Sequence, residues 1–244
     1  MYIQTNDNNE IIQFIKVGNK PEINGYEIDN DTDIDILRNI FSYKFIDGEF
    51  ILKDGAQQEK LKRVQEAKIN ALNNICHEQI VSGFDHTDGH HYSLQETDQL
   101  NLQALSLMAS QGQPTSWKYD NGVCQFYTPE EMLALTGYAT KYIMYHSTYY
   151  NQLKDQIKKM TSIDDIIAIN YGVELDSEHA EALSAHTGGF VPNNISIITD
   201  TTDYTTVMYD VNMDSYPYEY MDPDLLEQTQ SVDTEGWAIL NGEA

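Results

Sequence analysis

The stretch from Thr128 to Met160 constrains this chain most. Thr128-Pro-Glu-Glu131 has the residues of a capping box. The Thr hydroxyl takes a free helix N–H, the Glu carboxylate reaches back to the cap, and the proline suits the first helical position. Behind this start, Leu135, Ala139, Tyr142, His146, Tyr149, Leu153, Ile157 and Met160 recur in steps of four and three. That spacing predicts a helix reaching about Lys159 with one coiled-coil-like apolar seam. His146 on the seam reads as a core histidine bonded to a carbonyl, not as a catalytic base. Glu130 and Glu131 are adjacent carboxylates, but the cap and the helix dipole account for both.

The segments before the long helix are marked by equally local chemistry. From Gln57 to Ile80 the pattern is helical, with Leu61, Val64, Ala67, Ala71, Leu72, Ile75 and Cys76 in one sector. With Ile69 and Ile80 the sector widens to roughly 220° at about 100° per residue. Such a helix packs on two sides or at a subunit interface. Lys68 interrupts the sector and is expected to snorkel. Gly83 reads as the residue just past the helix end. Ser93-Leu-Gln-Glu96 reads as another capping box, followed by Leu94, Leu102, Leu105 and Met108. Gly112–Pro114 breaks that helix, and Trp117–Phe126 forms a hairpin turning at Asp120-Asn-Gly122. Ser162-Ile-Asp-Asp165 opens a short helix through Ile169.

The ends of the chain read differently. Tyr2–Thr5 and Ile11–Val17 form one hairpin, and Tyr43–Ile46 with Glu49–Leu52 another, closed by Asp47-Gly48. Between them, Asp33–Phe41 has helical spacing through Ile34, Leu37, Ile40 and Phe41. After Tyr171, Asp176–His186 is a short helix and Ile195–Tyr209 one or two strands. Asp222-Pro223 caps a turn of helix over Asp224–Gln228. The expected fold class is therefore α+β. It comprises a small N-terminal β-rich module (1–55), a central helical domain with two short hairpins (56–172) and an acidic β-rich C-terminal extension (173–244).

Charge excludes whole classes of partner. The formal net charge is −25 over 244 residues. Residues 1–56 contribute −6 and 57–172 contribute −4, whereas 173–244 hold 15 acidic residues and no Lys or Arg. An acidic surface repels phosphate, so neither nucleic acid nor an anionic membrane is an expected partner. No run of 18 apolar residues occurs, so no membrane insertion is expected. The N-terminus has no basic and apolar leader pattern. Phe190, Val191, Ile195, Tyr204, Val207 and Trp237 are poor residues for a free acidic tail. A docking arm, ordered by another protein's Lys and Arg, reconciles the two.

Few residues carry candidate chemistry. Asp29, Asp31, Asp33 and Asp35 alternate like the oxygen ligands of a calcium loop. Ile34 and Ile40 stand where that loop needs Gly and Glu, so an acidic cap on the next helix is the plainer reading. His86, Asp88 and His90, with Asp85 and His91, offer imidazole and carboxylate donors for a transition metal. They surround an Asp88-Gly89 turn, where polar residues belong in any case. Cys76 and Cys124 form no C-x-x-C pair and read as small buried hydrophobes. None of the common hydrolase, metalloprotease or nucleotide-binding motifs is present, so no catalytic residue and no cofactor is expected.

Taken in order, the motifs of residues 57–172 resemble an uncharacterised domain found near the ends of phage tail and tail-fibre proteins. The resemblance rests on the Lys-rich leading helix ending at Gly83-Phe84, the Tyr92-Ser93 helix entry, Asp98-Gln99-Leu-Asn101-Leu102, the Trp117 hairpin, the Tyr127-Thr128 helix entry and the Leu153…Ile157 helix end. A β-module ahead of it is similar to small tail or baseplate proteins of phages of Gram-positive bacteria. The resemblance implies a structural virion protein, made in the host cytoplasm, that joins tail or baseplate parts as a homo-oligomer or in multiple copies. It implies no cofactor. Two other readings follow the residues: a host-adsorption module stacking exposed tyrosines and Trp237 on a surface glycan, and a cell-wall-degrading tail enzyme.

Overall fold

The computed structural model of the chain describes residues 1–193, 195–211 and 219–221. Strands β1 (Tyr2–Thr5), β2 (Ile11–Ile15) and β3 (Gly25–Glu27) lead to helix α1 (Ile34–Arg38), a 3-10 turn (Ile40–Ser42) and strands β4 (Tyr43–Ile46) and β5 (Glu49–Leu52). Helix α2 (Ala56–Ser82) follows, then β6 (Phe84–Asp85), β7 (His91–Tyr92) and α3 (Glu96–Ser110). After β8 (Thr115–Trp117) and β9 (Gln125–Tyr127) come helices α4 (Pro129–Lys159), α5 (Ile163–Ala168) and α6 (Ser177–Thr187). Helix α7 (Thr205–Met208) and strand β10 (Glu219–Met221) complete the described elements. The fold class is α+β, as the sequence predicts.

Contacts gather the chain into two units, Met1–Arg63 with the chain from Asp203 on, and Val64–Thr202. The sequence places boundaries after residues 55 and 172 instead. The first differs because α2 runs unbroken past Arg63. The second differs because residues 173–202 close onto their own unit: the Tyr149 hydroxyl donates to the Val173 carbonyl, and Asp200 pairs with Lys68.

In the first unit, β10, β2, β1 and β3 form an antiparallel sheet in that order, and β4 pairs with β5. Asp47 and Gly48 both take positive φ, 52° and 91°, as a tight two-residue hairpin turn requires. Ile3, Ile11, Phe14, Leu37, Ile40 and Phe45 fill the core. Alternation along β1 and β2 puts those strand residues on one face. Val211 completes the core from far along the chain, and its N–H donates to the Arg38 carbonyl at 3.0 Å. Its neighbour Asp210 accepts from the Ser42 N–H and hydroxyl at 3.1 and 3.0 Å, with Arg63 at 3.5 Å. The guanidinium of Arg38 and the ammonium of Lys60 each lie 5.1 Å from the Tyr209 ring centre. Up to residue 211, then, the expected docking arm is covered by its own chain, and its carboxylates meet that chain's own cations.

The second unit is built along α4. Thr128 and Glu131 make both bonds of the capping box, at 3.2 and 2.8 Å. The predicted seam from Leu135 to Ile157 is buried, and α3 and α6 pack along this helix. Val64, Lys68, Leu72 and Cys76 are the buried positions of α2 at steps of four, joined by Ile69. Lys68 does not snorkel. Its side chain is fully enclosed, 2.7 Å from an Asp200 carboxylate oxygen and 2.9 Å from the Ile167 carbonyl. Gly83 ends α2 with φ 91°, and a Cβ there would fall on the Tyr92 carbonyl, so only glycine fits.

Three other expectations are corrected. The capping box at Ser93 does not form. Helix α3 starts at Glu96 with Gln95 as its cap residue, because Ser93 and Leu94 are drawn into the β7 turn, where the Ser93 N–H donates to Asp120. Ile195–Tyr209 does not form strands. It contributes one bridge, Ile198 to Tyr171, and then α7. Cys76 is buried, but Cys124 is exposed beside the β8–β9 turn. The Asp224–Gln228 turn of helix and Trp237 lie outside the described residues.

Candidate functional site

The most developed concavity of the second unit is a groove of about 1060 Å³ between α3 and α4. Helix α3 explains why it exists. At about 100° per residue, Leu102, Leu105 and Ala109 share one side of α3, and Leu100, Ala104 and Leu107 the opposite side. The first side is packed on α4, with Leu102 and Ala109 buried. The second is not: Leu100 is 68% and Leu107 62% exposed. A helix with apolar residues on both sides has one side satisfied by its own chain and one left to solvent.

The far wall comes from α4 residues Thr136, Ala139, Thr140 and Ile143. Its hydroxyls are already engaged. Thr136 donates to the Met132 carbonyl and Thr140 to the Thr136 carbonyl, both at 2.8 Å. On α3, Gln99 donates to the Leu94 carbonyl and Ser110 to the Leu107 carbonyl, both at 2.7 Å. Residues 99–110 carry no charge, nor do residues 132–140; Glu96 is the one charged residue of the lining. The groove therefore offers apolar surface and few directional bonds, which suits a protein surface better than a small polar ligand.

The sequence-predicted metal donors are not brought together. His86 Nδ1 lies 3.2 Å from an Asp88 oxygen, outside hydrogen-bond alignment. His90 turns away and stacks on Tyr119, ring centres 3.8 Å apart. Asp88 instead accepts from the Tyr92 hydroxyl at 2.7 Å and the His90 N–H at 2.9 Å. Partial burial opposes ionisation of Asp88, but these bonds hold its carboxyl below the usual range. In the other candidate loop, Asp33 caps α1 by accepting from the Asp35 N–H at 2.8 Å, and the Asp29 carbonyl accepts from the Thr32 hydroxyl at 2.7 Å. Asp31 and Asp35 join no cluster with them: among the described residues no three His, Cys, Asp or Glu side chains are placed to hold an ion.

His146 is a core histidine, but its partner is a hydroxyl. Nδ1 shares a 3.0 Å hydrogen bond with Tyr171, and the Cys76 thiol donates to the His146 carbonyl at 3.4 Å. Burial among tyrosine rings pushes its pKa down to about 4. Sequence reasoning missed three polar devices. One is the Lys68–Asp200 pair. The second is His179, whose Nδ1 meets Asp176 at 2.7 Å and whose Nε2 meets Asp155 at 3.1 Å. The third is His91, held between Asp85 at 2.8 Å and the Ser82 carbonyl at 2.7 Å. Only the Asp176–His179 spacing of one helical turn was visible beforehand. The exposed Leu100 and Leu107 were equally visible, seven residues apart on the wheel.

Among known proteins, residues 63–172 match the model of a family described as a domain of unknown function, DUF4376. The match covers just under half of the chain and takes in α3, α4 and the groove between them. No curated protein and no solved structure matches the chain.

Proposed function

We propose that this chain is a structural component of a bacteriophage tail, in the baseplate or a tail fibre, and that it joins tail parts without catalysing a reaction. The uncharged groove between α3 and α4 carries the reading. It is a long apolar surface on a strongly acidic chain, and surfaces of that kind mark protein contacts. It lies within the segment whose motifs resemble the phage-tail domain. The test is composition of purified virions. Peptides of this chain should appear in fixed ratio to other tail proteins, and an antibody to the chain should label the tail. Abundance in the lysate with absence from virions overturns the proposal, as does hydrolysis of host wall by the purified chain.

One observation favours a second reading, adsorption to a host glycan. Phe126, on the β8–β9 hairpin, is 90% exposed, and an exposed ring is a stacking surface for a sugar. Binding of the purified chain to host wall polysaccharide, lost in Phe126→Ala, would move the assignment to this reading.

A further inference from the structure

We infer that the α3–α4 groove receives a second copy of this chain, placed so that α3 of each copy lies in the groove of the other; the inference rests on the assembly reading above. The surface is self-complementary. Leu100 and Leu107 project from the same helix that forms one wall of the groove, two turns apart, so knobs and hole lie side by side. A two-fold interface needs that arrangement, because one patch must serve both partners.

Charge points to the same occupant. Two copies of a chain with a net charge of −25 repel each other over most of their surfaces. They approach at least cost where charge is absent, and residues 99–110 and 132–140 form such a neutral face. A basic partner would be drawn to the acidic surface elsewhere, and this lining gives it no carboxylate but Glu96. A polar small molecule meets hydroxyls and amides already bonded within the helices. A second neutral apolar face, such as that of another copy, fits what is left.

The experiment is sedimentation velocity of the full chain across a range of concentrations. The wild type should sediment at twice 27.9 kDa. Leu107→Glu and Leu100→Glu should each raise the dissociation constant about tenfold or more, since each would bury an unpaired carboxylate. Both side chains are exposed within the chain, so circular dichroism and melting should show intact folding. Ile197→Glu, also exposed but outside the groove, should leave the dimer unchanged. Salt gives a signature that a basic partner would reverse. Raising it from about 0.01 M to about 0.1 M shortens the screening length from about 30 Å to about 10 Å, and self-association should tighten. A 27.9 kDa monomer at every concentration and salt overturns the inference. So does a dimer indifferent to both leucine substitutions. A monomer that is nonetheless found in virions removes this occupant and leaves the assembly reading standing, with a different tail protein in the groove.

Discussion

His146 and His179 are equally enclosed, at 2% exposure each, yet they answer acid in opposite ways. His146 sits on the α4 seam among Tyr142, Tyr145, Tyr149 and Tyr171, with one hydroxyl for company. Burial favours its neutral form. His179 fastens α6 to α4 between two carboxylates, Asp176 and Asp155, with the Lys159 ammonium 3.4 Å from Nε2 and Glu178 paired to that lysine. Carboxylates accept and do not donate, so both ring nitrogens must donate, and that is the protonated form. Burial opposes the charge here too, but the two carboxylate bonds outweigh it and raise the pKa. What a side chain meets on being enclosed, more than enclosure itself, decides its charge.

The severest trial of that rule is Lys68, whose ammonium is enclosed with an equally enclosed carboxylate. Asp200→Ala should destabilise the chain by about 3–5 kcal/mol in urea unfolding, because it leaves a buried cation unpaired. Lys68→Met combined with Asp200→Ala should recover much of that loss, since no charge then remains inside. A single substitution costing under about 1 kcal/mol would show that solvent reaches Lys68 and would break the rule.

Next in size is the acid limb of His146. Its folded pKa of about 4 lies below the unfolded value of about 6.5. Its contribution is full above the unfolded value and is lost as pH falls through the folded one. At about 1.4 kcal/mol per unit, the loss between pH 6.5 and 4 is about 3 kcal/mol. His146→Phe should flatten stability over that window relative to wild type, whatever it does to stability at pH 7. An unchanged slope would mean that the ring is not held neutral.

Tyr171→Phe should cost less, about 1–3 kcal/mol, by leaving His146 Nδ1 unsatisfied in an enclosed site. Nε2 already has no partner among the described residues. The penalty should shrink when His146→Phe is also present, since nothing is then left wanting a bond. Additive losses from the two substitutions would show that the hydroxyl stabilises through some other contact.

Legibility in the sequence follows the same division between local and distant partners. Features set by neighbours along the chain were readable. These include the Thr128 cap, the α4 seam from Leu135 to Ile157, the Asp47-Gly48 turn and the break at Gly83. Features that need a partner far away were not. Lys68 meets Asp200 across 132 positions, and Val211 completes a core begun at Ile3. Even local signals failed where a distant group competed, as when Asp120 took the Ser93 N–H and the expected cap was lost. The groove lay between these cases. Leu100 and Leu107 were visible on the helical wheel, but which side of α3 would face α4 was not. The alternation in Ile195–Tyr209 had no strand beside it except at Tyr171, and a strand needs one.

The smallest effect should come from His179 and would sharpen the comparison most. Its folded pKa is raised above about 6.5. The contribution of the protonated ring is therefore full below that value and fades as pH climbs through the folded one, opposite in sign to His146. His179→Gln can bond one carboxylate but carries no charge. It should lower the melting temperature by about 2 °C or less at pH 6 and by less still at pH 9. NMR titration of the His179 ring should show a doubly protonated imidazolium persisting above pH 6.5. Two carboxylates are needed for that, so Asp155→Asn, which leaves Asp176 in place, should bring the titration down without releasing α6. A His179 that titrates below 6.5 in the wild type would show that burial outweighs its carboxylates, and the contrast with His146 would vanish.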